Sequence, residues 1–111
     1  MNRIHALALL LGMTLASGTV SAQDGKAIYD ERCAFCHGAT GKGDGPASAA
    51  LSPPPRDFTR AAYWSVTDQT RLRDIIQNGK DGTAMVPFRN LLNEQQTDAV
   101  INYLMTFRPA S

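Results

Sequence analysis

The chain has 111 residues, 43% hydrophobic and 19% charged, with 11 Lys and Arg against 10 Asp and Glu. That length predicts one domain, and that composition excludes a disordered chain. The near balance of charge excludes the basic surface of a nucleic-acid binder and a polybasic membrane-surface segment.

Arg3 and His5 precede an apolar run over residues 6–16, and the next segment ends Val20-Ser21-Ala22. A basic start, a short apolar run and a small-x-small end predict a cleavable secretory signal peptide over residues 1–22. The apolar run is too short to span a bilayer as a helix. No cysteine lies at the junction, which argues against a lipid anchor. The expected mature domain, residues 23–111, is 89 residues long, with ten basic residues against ten acidic ones. His37 is its only histidine. A core this small is usually supplemented by a disulfide, a metal or a bound group.

Asp24 is the expected N-cap of a first helix, with Gly25, Ile28, Tyr29, Arg32 and Cys33 at helical offsets and His37-Gly38 at its end. Residues 38–60 hold four glycines (38, 41, 43, 45) and four prolines (46, 53, 54, 55). Regular structure is disfavoured there apart from a turn of helix within residues 47–51. A loop of that length in a small domain is expected to wrap something. A second helix starts near Thr67 or Asp68, aligns Leu72, Ile75 and Ile76 on one face, and stops at Gly79. After a second loop, Asn93 caps a last helix with Gln96 at its third position, a variant of the capping box. Its apolar stripe is Val100, Ile101, Leu104, Met105 and Phe107, and Pro109 ends it. No alternating run predicts a sheet. The chain reads as all-α: three helices joined by two irregular loops.

Cys33-Ala34-Phe35-Cys36-His37 is a C-x-x-C-H, the pattern of c-type haem attachment. Two thiols so spaced can add to the two vinyl groups on one edge of a porphyrin, and the adjoining His37 can then coordinate the iron axially. The competing readings are weaker. A Cys33–Cys36 disulfide would suit an exported protein. A thioredoxin-like site wants a βαβ setting, and zinc wants a fourth ligand. A second axial ligand cannot be histidine, because the mature chain has no other. Lysine is conceivable, and methionine is the usual partner of histidine. Met105 lies inside the last helix among apolar neighbours, where a methionine is ordinarily core filler. Met85 lies in a loop, with Pro87 disfavouring helix at Val86, so it is free to turn inward. Met85 is therefore the expected ligand.

CAFCHG, GKGDGP, PPPRDF, GTAMVPF and a final amphipathic helix with Tyr103 follow one another in an order that resembles a bacterial class I c-type cytochrome with a single haem. The resemblance spans nearly the whole mature chain. It implies an all-α cytochrome c fold, three main helices and irregular loops wrapped round one covalent haem c. It also implies that the first and last helices cross, with Gly25 and Tyr29 near Ile101 and Leu104. A loop proline in this family offers its carbonyl to the axial histidine, which makes Pro46 the expected partner of His37. Val86 stands between Met85 and Pro87, where many relatives have proline directly after the methionine. Arg56, Tyr63 and Trp64 are candidate donors to the anionic haem propionates.

With His37 and Met85 bound, iron keeps no open position, which favours one-electron transfer over catalysis. The expected role is a periplasmic electron carrier that docks transiently with redox protein partners, is monomeric, has no membrane span after signal cleavage, and is not itself an enzyme. The alternatives are a dedicated cytochrome subunit of a periplasmic oxidoreductase and a haem-based ligand sensor or peroxidase with a labile Met85 bond. Residues 56–89 carry Arg56, Arg60, Arg71, Arg73, Lys80 and Arg89 against Asp57, Asp68, Asp74 and Asp81. This small positive excess could steer an acidic partner.

Overall fold

The computed structural model describes residues 22–110. The expected signal segment, apart from Ala22, lies outside the described residues. Among these residues all regular structure is helical. The elements are α1 (Ala22–Arg32), α2 (Ala34–His37), a 3-10 turn (Ser48–Ala50), α3 (Ala61–Trp64), α4 (Gln69–Asn78) and α5 (Glu94–Met105). None of the helices is long and apolar enough to cross a membrane.

The three main helices α1, α4 and α5 stand where periodicity places them, and two details at the start differ. The first helix begins at Ala22, so Asp24 lies in its first turn rather than capping it. An acidic residue there favours the helix through the dipole. The single helix expected up to His37 breaks at Cys33, which serves as N-cap of α2. The caps of α4 and α5 match the sequence. Asp68 accepts from the Arg71 N–H at 2.8 Å, and Gly79 ends α4 with φ 72°. Asn93 and Gln96 form a complete capping box. The short helix α3 is too brief to leave a periodic signal.

α1 packs chiefly against α5. A side chain at Gly25 would overlap the Ala99 carbonyl and stand 3.0 Å from Tyr103 Cβ. Only glycine allows that approach. Tyr29 meets Tyr103 and Phe107, with ring centroids at 5.2 and 5.3 Å, and shares a buried cluster with Ile101 and Leu104 as expected. All of them belong to or pack on one core, which includes Tyr29, Phe58, Trp64, Leu72, Ile76, Leu92, Val100, Ile101 and Leu104. α4 joins α5 through Arg73, which pairs with Glu94 at 3.1 Å and with Asp98. Exposed pairs of this kind add little stability, so apolar packing carries the fold.

The loop after His37 is not a linker. Its N–H groups return to the carbonyls of the four-residue α2: Gly38 to Ala34, Ala47 to Phe35, Gly45 to Cys36 and Gly43 to His37, at 2.7–3.1 Å. A helix that short has no interior bonds to spare, so the loop supplies its C-terminal partners.

Gly25→Ala tests the crossing. The substitution should destabilise the holoprotein by about 2 kcal/mol, the scale of overpacking, despite the better helix propensity of alanine. Thermal unfolding should show Tm lowered by about 10 °C.

Candidate functional site

Cys33, Cys36 and His37 come together because the chain turns tightly at Cys33. The Cys33 N–H ends α1 by bonding the Tyr29 carbonyl at 2.8 Å. Its own carbonyl then accepts from Cys36 N–H at 3.2 Å and His37 N–H at 2.9 Å. Both cysteines are free thiols and half-buried. Burial pushes the Cys33 thiol up to about 11, with the nearby Arg32 opposing the shift. Between them Phe35 faces solvent, 65% exposed.

The His37 ring is held on two sides. Phe58 stacks on it, with centroids 4.6 Å apart and planes at 22°. Nδ1 lies 3.2 Å from the Arg56 carbonyl oxygen. A carbonyl only accepts, so Nδ1 carries the proton and Nε2 is left with a free lone pair. Burial lowers the His37 pKa, opposed by the Arg56 bond. A neutral imidazole with a free Nε2 is the form that binds a metal.

The orienting carbonyl corrects the expectation of Pro46. Gly45 bonds the Cys36 carbonyl, and a Cβ there would run into the backbone of Ala34 and Phe35. The chain on either side of Pro46 is thus tied to α2, through Gly45 and Ala47, and the carbonyl at His37 Nδ1 is that of Arg56. After Pro53, Pro54 and Pro55 the chain returns over Gly43, where a Cβ would stand 2.5 Å from the Pro55 oxygen and 3.2 Å from that of Arg56. That return brings the Arg56 backbone, not its side chain, to His37.

Trp64 is corrected as well. Its indole N–H donates to the Phe58 carbonyl at 2.7 Å, so the donor is spent on the protein. Tyr63 lies beside it, at 5.4 Å between centroids. Burial raises the Tyr63 pKa, and the Thr67 hydroxyl and the guanidinium groups of Arg56 and Arg71 oppose the rise. Thr67 Oγ1 is buried close by, near enough to act on the phenol yet without a well-formed hydrogen bond. Tyr63, Thr67, Arg56 and Arg71 thus form a donor set suited to a carboxylate. Thr67, Arg71 and Phe58 were not among the sequence candidates. A hydroxyl just before a helix cap and an arginine one turn into it give no signal of their own.

Met85 is half-buried and packs against the core, as does Met105 from within α5. The loop that carries Met85 is tied to α4 by Phe88 N–H to Ile76 O at 2.8 Å and Arg89 N–H to Gln77 O at 3.2 Å. Gly79 makes room for the backbone on either side of Val86: a Cβ there would lie 2.8 Å from the Met85 oxygen and 3.1 Å from the Pro87 nitrogen. Val86 itself points outward, 54% exposed.

The residues fit a covalent haem. Two half-buried thiols and a free Nε2 share one turn, half-buried methionines adjoin the core, and an unbonded buried hydroxyl sits among cations suited to an anionic edge. Among the described residues no group of three or more His, Cys, Asp or Glu could hold a metal ion alone.

Comparison with known proteins agrees. A family model described as cytochrome c matches residues 22–108. The dihydro-heme d1 dehydrogenase of Pseudomonas aeruginosa is 31% identical over 104 residues, covering 94% of this chain but 18% of that protein. Cytochrome c-554(547) of Halothiobacillus neapolitanus is 33% identical over 89 residues, 78% of this chain and 97% of that one. A chain of the Kuenenia stuttgartiensis reducing HAO-like protein complex superposes with TM-score 0.72 at 32% identity, over 82% of this chain and 44% of its own length. The KustC0563 c-type cytochrome superposes with TM-score 0.65 at 25% identity, over 78% of this chain and 99% of its own. The chain thus spans a fraction of two larger proteins and nearly all of two small ones.

Cys33→Ala combined with Cys36→Ala should remove covalent haem, read as loss of the pigment that survives acid–acetone extraction. The double variant should also lose cooperative thermal unfolding, because a bound group that anchors a small core adds its binding energy to stability.

Proposed function

This chain belongs to the cytochrome c family and carries haem c through Cys33 and Cys36; from that premise we propose that it is a periplasmic, single-haem electron carrier in which His37 and Met85 would hold the iron. Bound haem supplies reversible one-electron Fe(III)/Fe(II) chemistry. The observation that carries the reading is the His37 ring, whose Nδ1 proton is committed to Arg56 O, which leaves Nε2 to the iron. Phe58 behind the ring and the carbonyl beside it fix one orientation for both redox states. A ring so held does not swing when the iron changes charge, and small rearrangement favours fast electron exchange.

Met85 offers a neutral thioether from the opposite loop. Soft sulfur favours the reduced iron and raises the potential. With both positions filled, substrate has no iron site to occupy, which supports a carrier rather than a catalyst. Arg56, Arg71, Tyr63 and Thr67 would hold a propionate by charge-assisted bonds. Export depends on the signal segment, residues 1–22, and cleavage there would leave Gln23 first.

Of the six basic residues over 56–89, Arg73 is paired with Glu94 and Asp98 and Arg60 with Asp57. Steering of an acidic partner then rests on Arg56, Arg71, Lys80 and Arg89, and part of that charge faces the propionate. The attraction is modest, and transient docking follows from it. A second reading, a dedicated subunit or domain of a larger redox assembly, is favoured by the neighbour that belongs to a protein complex and by the relative far longer than this chain. Recovery of the native holoprotein as a free monomer supports the carrier; constant co-purification with one partner supports the subunit.

Met85→Ala should abolish the far-red absorption band that methionine gives with ferric iron and lower the potential, while Met105→Leu leaves both intact. The reverse result would move the ligand to α5. Carbon monoxide should bind the reduced wild type weakly at neutral pH, and rapid stoichiometric binding would favour the sensor or peroxidase reading.

A further inference from the structure

Met85 sits in a segment with no helix to hold it, followed by an exposed Val86 and by Pro87, which has no N–H to give. Its side chain packs on the core, and its backbone is placed by hydrogen bonds. Both of its polar groups are engaged inside the loop. The Met85 carbonyl accepts from Lys80 N–H at 3.2 Å. The Met85 N–H donates to the Thr83 hydroxyl at 3.1 Å. That hydroxyl in turn donates to the Lys80 carbonyl at 2.7 Å, which also accepts the Thr83 N–H at 3.2 Å. One side-chain oxygen therefore bridges the two strands of the loop.

We propose that Thr83 is the positioning residue for Met85: its hydroxyl fixes the backbone from which the thioether reaches the iron. The proposal rests on the reading of Met85 as ligand. Two features make the hydroxyl matter. The anchors to α4, Phe88 N–H to Ile76 O and Arg89 to Gln77 O and Asn78 Oδ1, all lie after Met85. Before it, Asp81 and Gly82 are exposed and a Cβ at Gly82 would touch nothing within 4 Å, so packing does not hold that half. Threonine suits the task because its branched side chain is stiff about χ1 and its hydroxyl both donates and accepts. Valine has the same shape and neither function.

The test is ferric holoprotein titrated with imidazole, a ligand that competes with Met85 for the iron. Thr83→Val should raise imidazole affinity about fivefold, equal to about 1 kcal/mol, the usual worth of one hydrogen bond. It should also weaken the far-red band and lower the potential. Thr83→Ser keeps the hydroxyl and should restore all three towards wild type. Met85→Ala runs alongside to separate the two claims. If it abolishes the band while Thr83→Val leaves affinity, band and potential unchanged, the Thr83 role fails and the ligand stands. If Thr83→Ser behaves as Thr83→Val, the hydroxyl is not the cause and the proposal also fails. If Met85→Ala keeps the band, the ligand reading itself fails.

Discussion

The close approach of α1 to α5 at Gly25 is the constraint on which the haem-binding turn depends. With no side chain at Gly25, the helices meet backbone to backbone at Ala99. That contact sets Tyr29 against Tyr103 and Phe107, fully buried. The Tyr29 hydroxyl then donates 2.6 Å to the carbonyl of Gly38, the residue after His37. Phe107 continues the contact, stacking at 6.3 Å on Phe58, which stacks on His37. A ring of aromatic contacts thus runs from the helix crossing to the imidazole. Buried hydroxyls need a partner, and here the partner is the backbone beside His37. Helix packing and the orientation of the His37 ring are therefore one arrangement.

The two faces of the proposed iron site are held in different ways. His37 is the last residue of a helix whose carbonyls are all answered by the following loop, and its ring is gripped by Phe58 and Arg56 O. Met85 has no such scaffold. It is held by bonds within its own loop and by a tether to the end of α4. A ligand held by a helix turn and an aromatic stack resists displacement. A ligand held by a few loop bonds can be tuned by single substitutions, because each bond is a large share of what fixes it. If Met85 is the ligand as proposed, variation in the strength of its bond to iron would arise from Thr83, Gly79 and Val86 rather than from the core.

How much of this was legible in the sequence depends on the range of each interaction. C-x-x-C-H, the Asp68 and Asn93 caps and the apolar faces of α4 and α5 are local patterns, and they stood in the structure as read. Loop placement alone favours Met85 over Met105 as the proposed ligand. The carbonyl partner of His37 could not be found this way. Four prolines competed, and the choice depends on where a 23-residue loop turns back, which is set by the glycine at 43 lying under Pro55 and Arg56. The partner of the Trp64 indole depends on the fold in the same way. A buried indole needs an acceptor, but the acceptor was Phe58 O, six residues earlier on the same loop. Thr83 and Thr67 carry no pattern, since a lone hydroxyl gains meaning only from what the fold puts beside it.

The irregular segments, more than half of what separates the three main helices, are ordered by backbone bonds rather than by apolar packing. Gly38, Gly41 and Gly43 have φ of 84°, 75° and 75°, the left-handed region that glycine enters without strain. Those turns aim successive N–H groups at the carbonyls of α2, and Phe58 N–H closes the loop on Gly41 O at 2.7 Å. A chain with a core this small cannot hold both faces of a large flat group with side chains alone. It uses glycine turns so that the backbone does part of that holding. The same reasoning applies to the methionine loop, where Gly79 and Gly82 open the turns and Thr83 closes them. The proposed carrier needs ligands that stay put while the charge changes. Saturated backbone polar groups around His37 and Met85 would supply that stillness, which leaves the apolar residues to form the helix core.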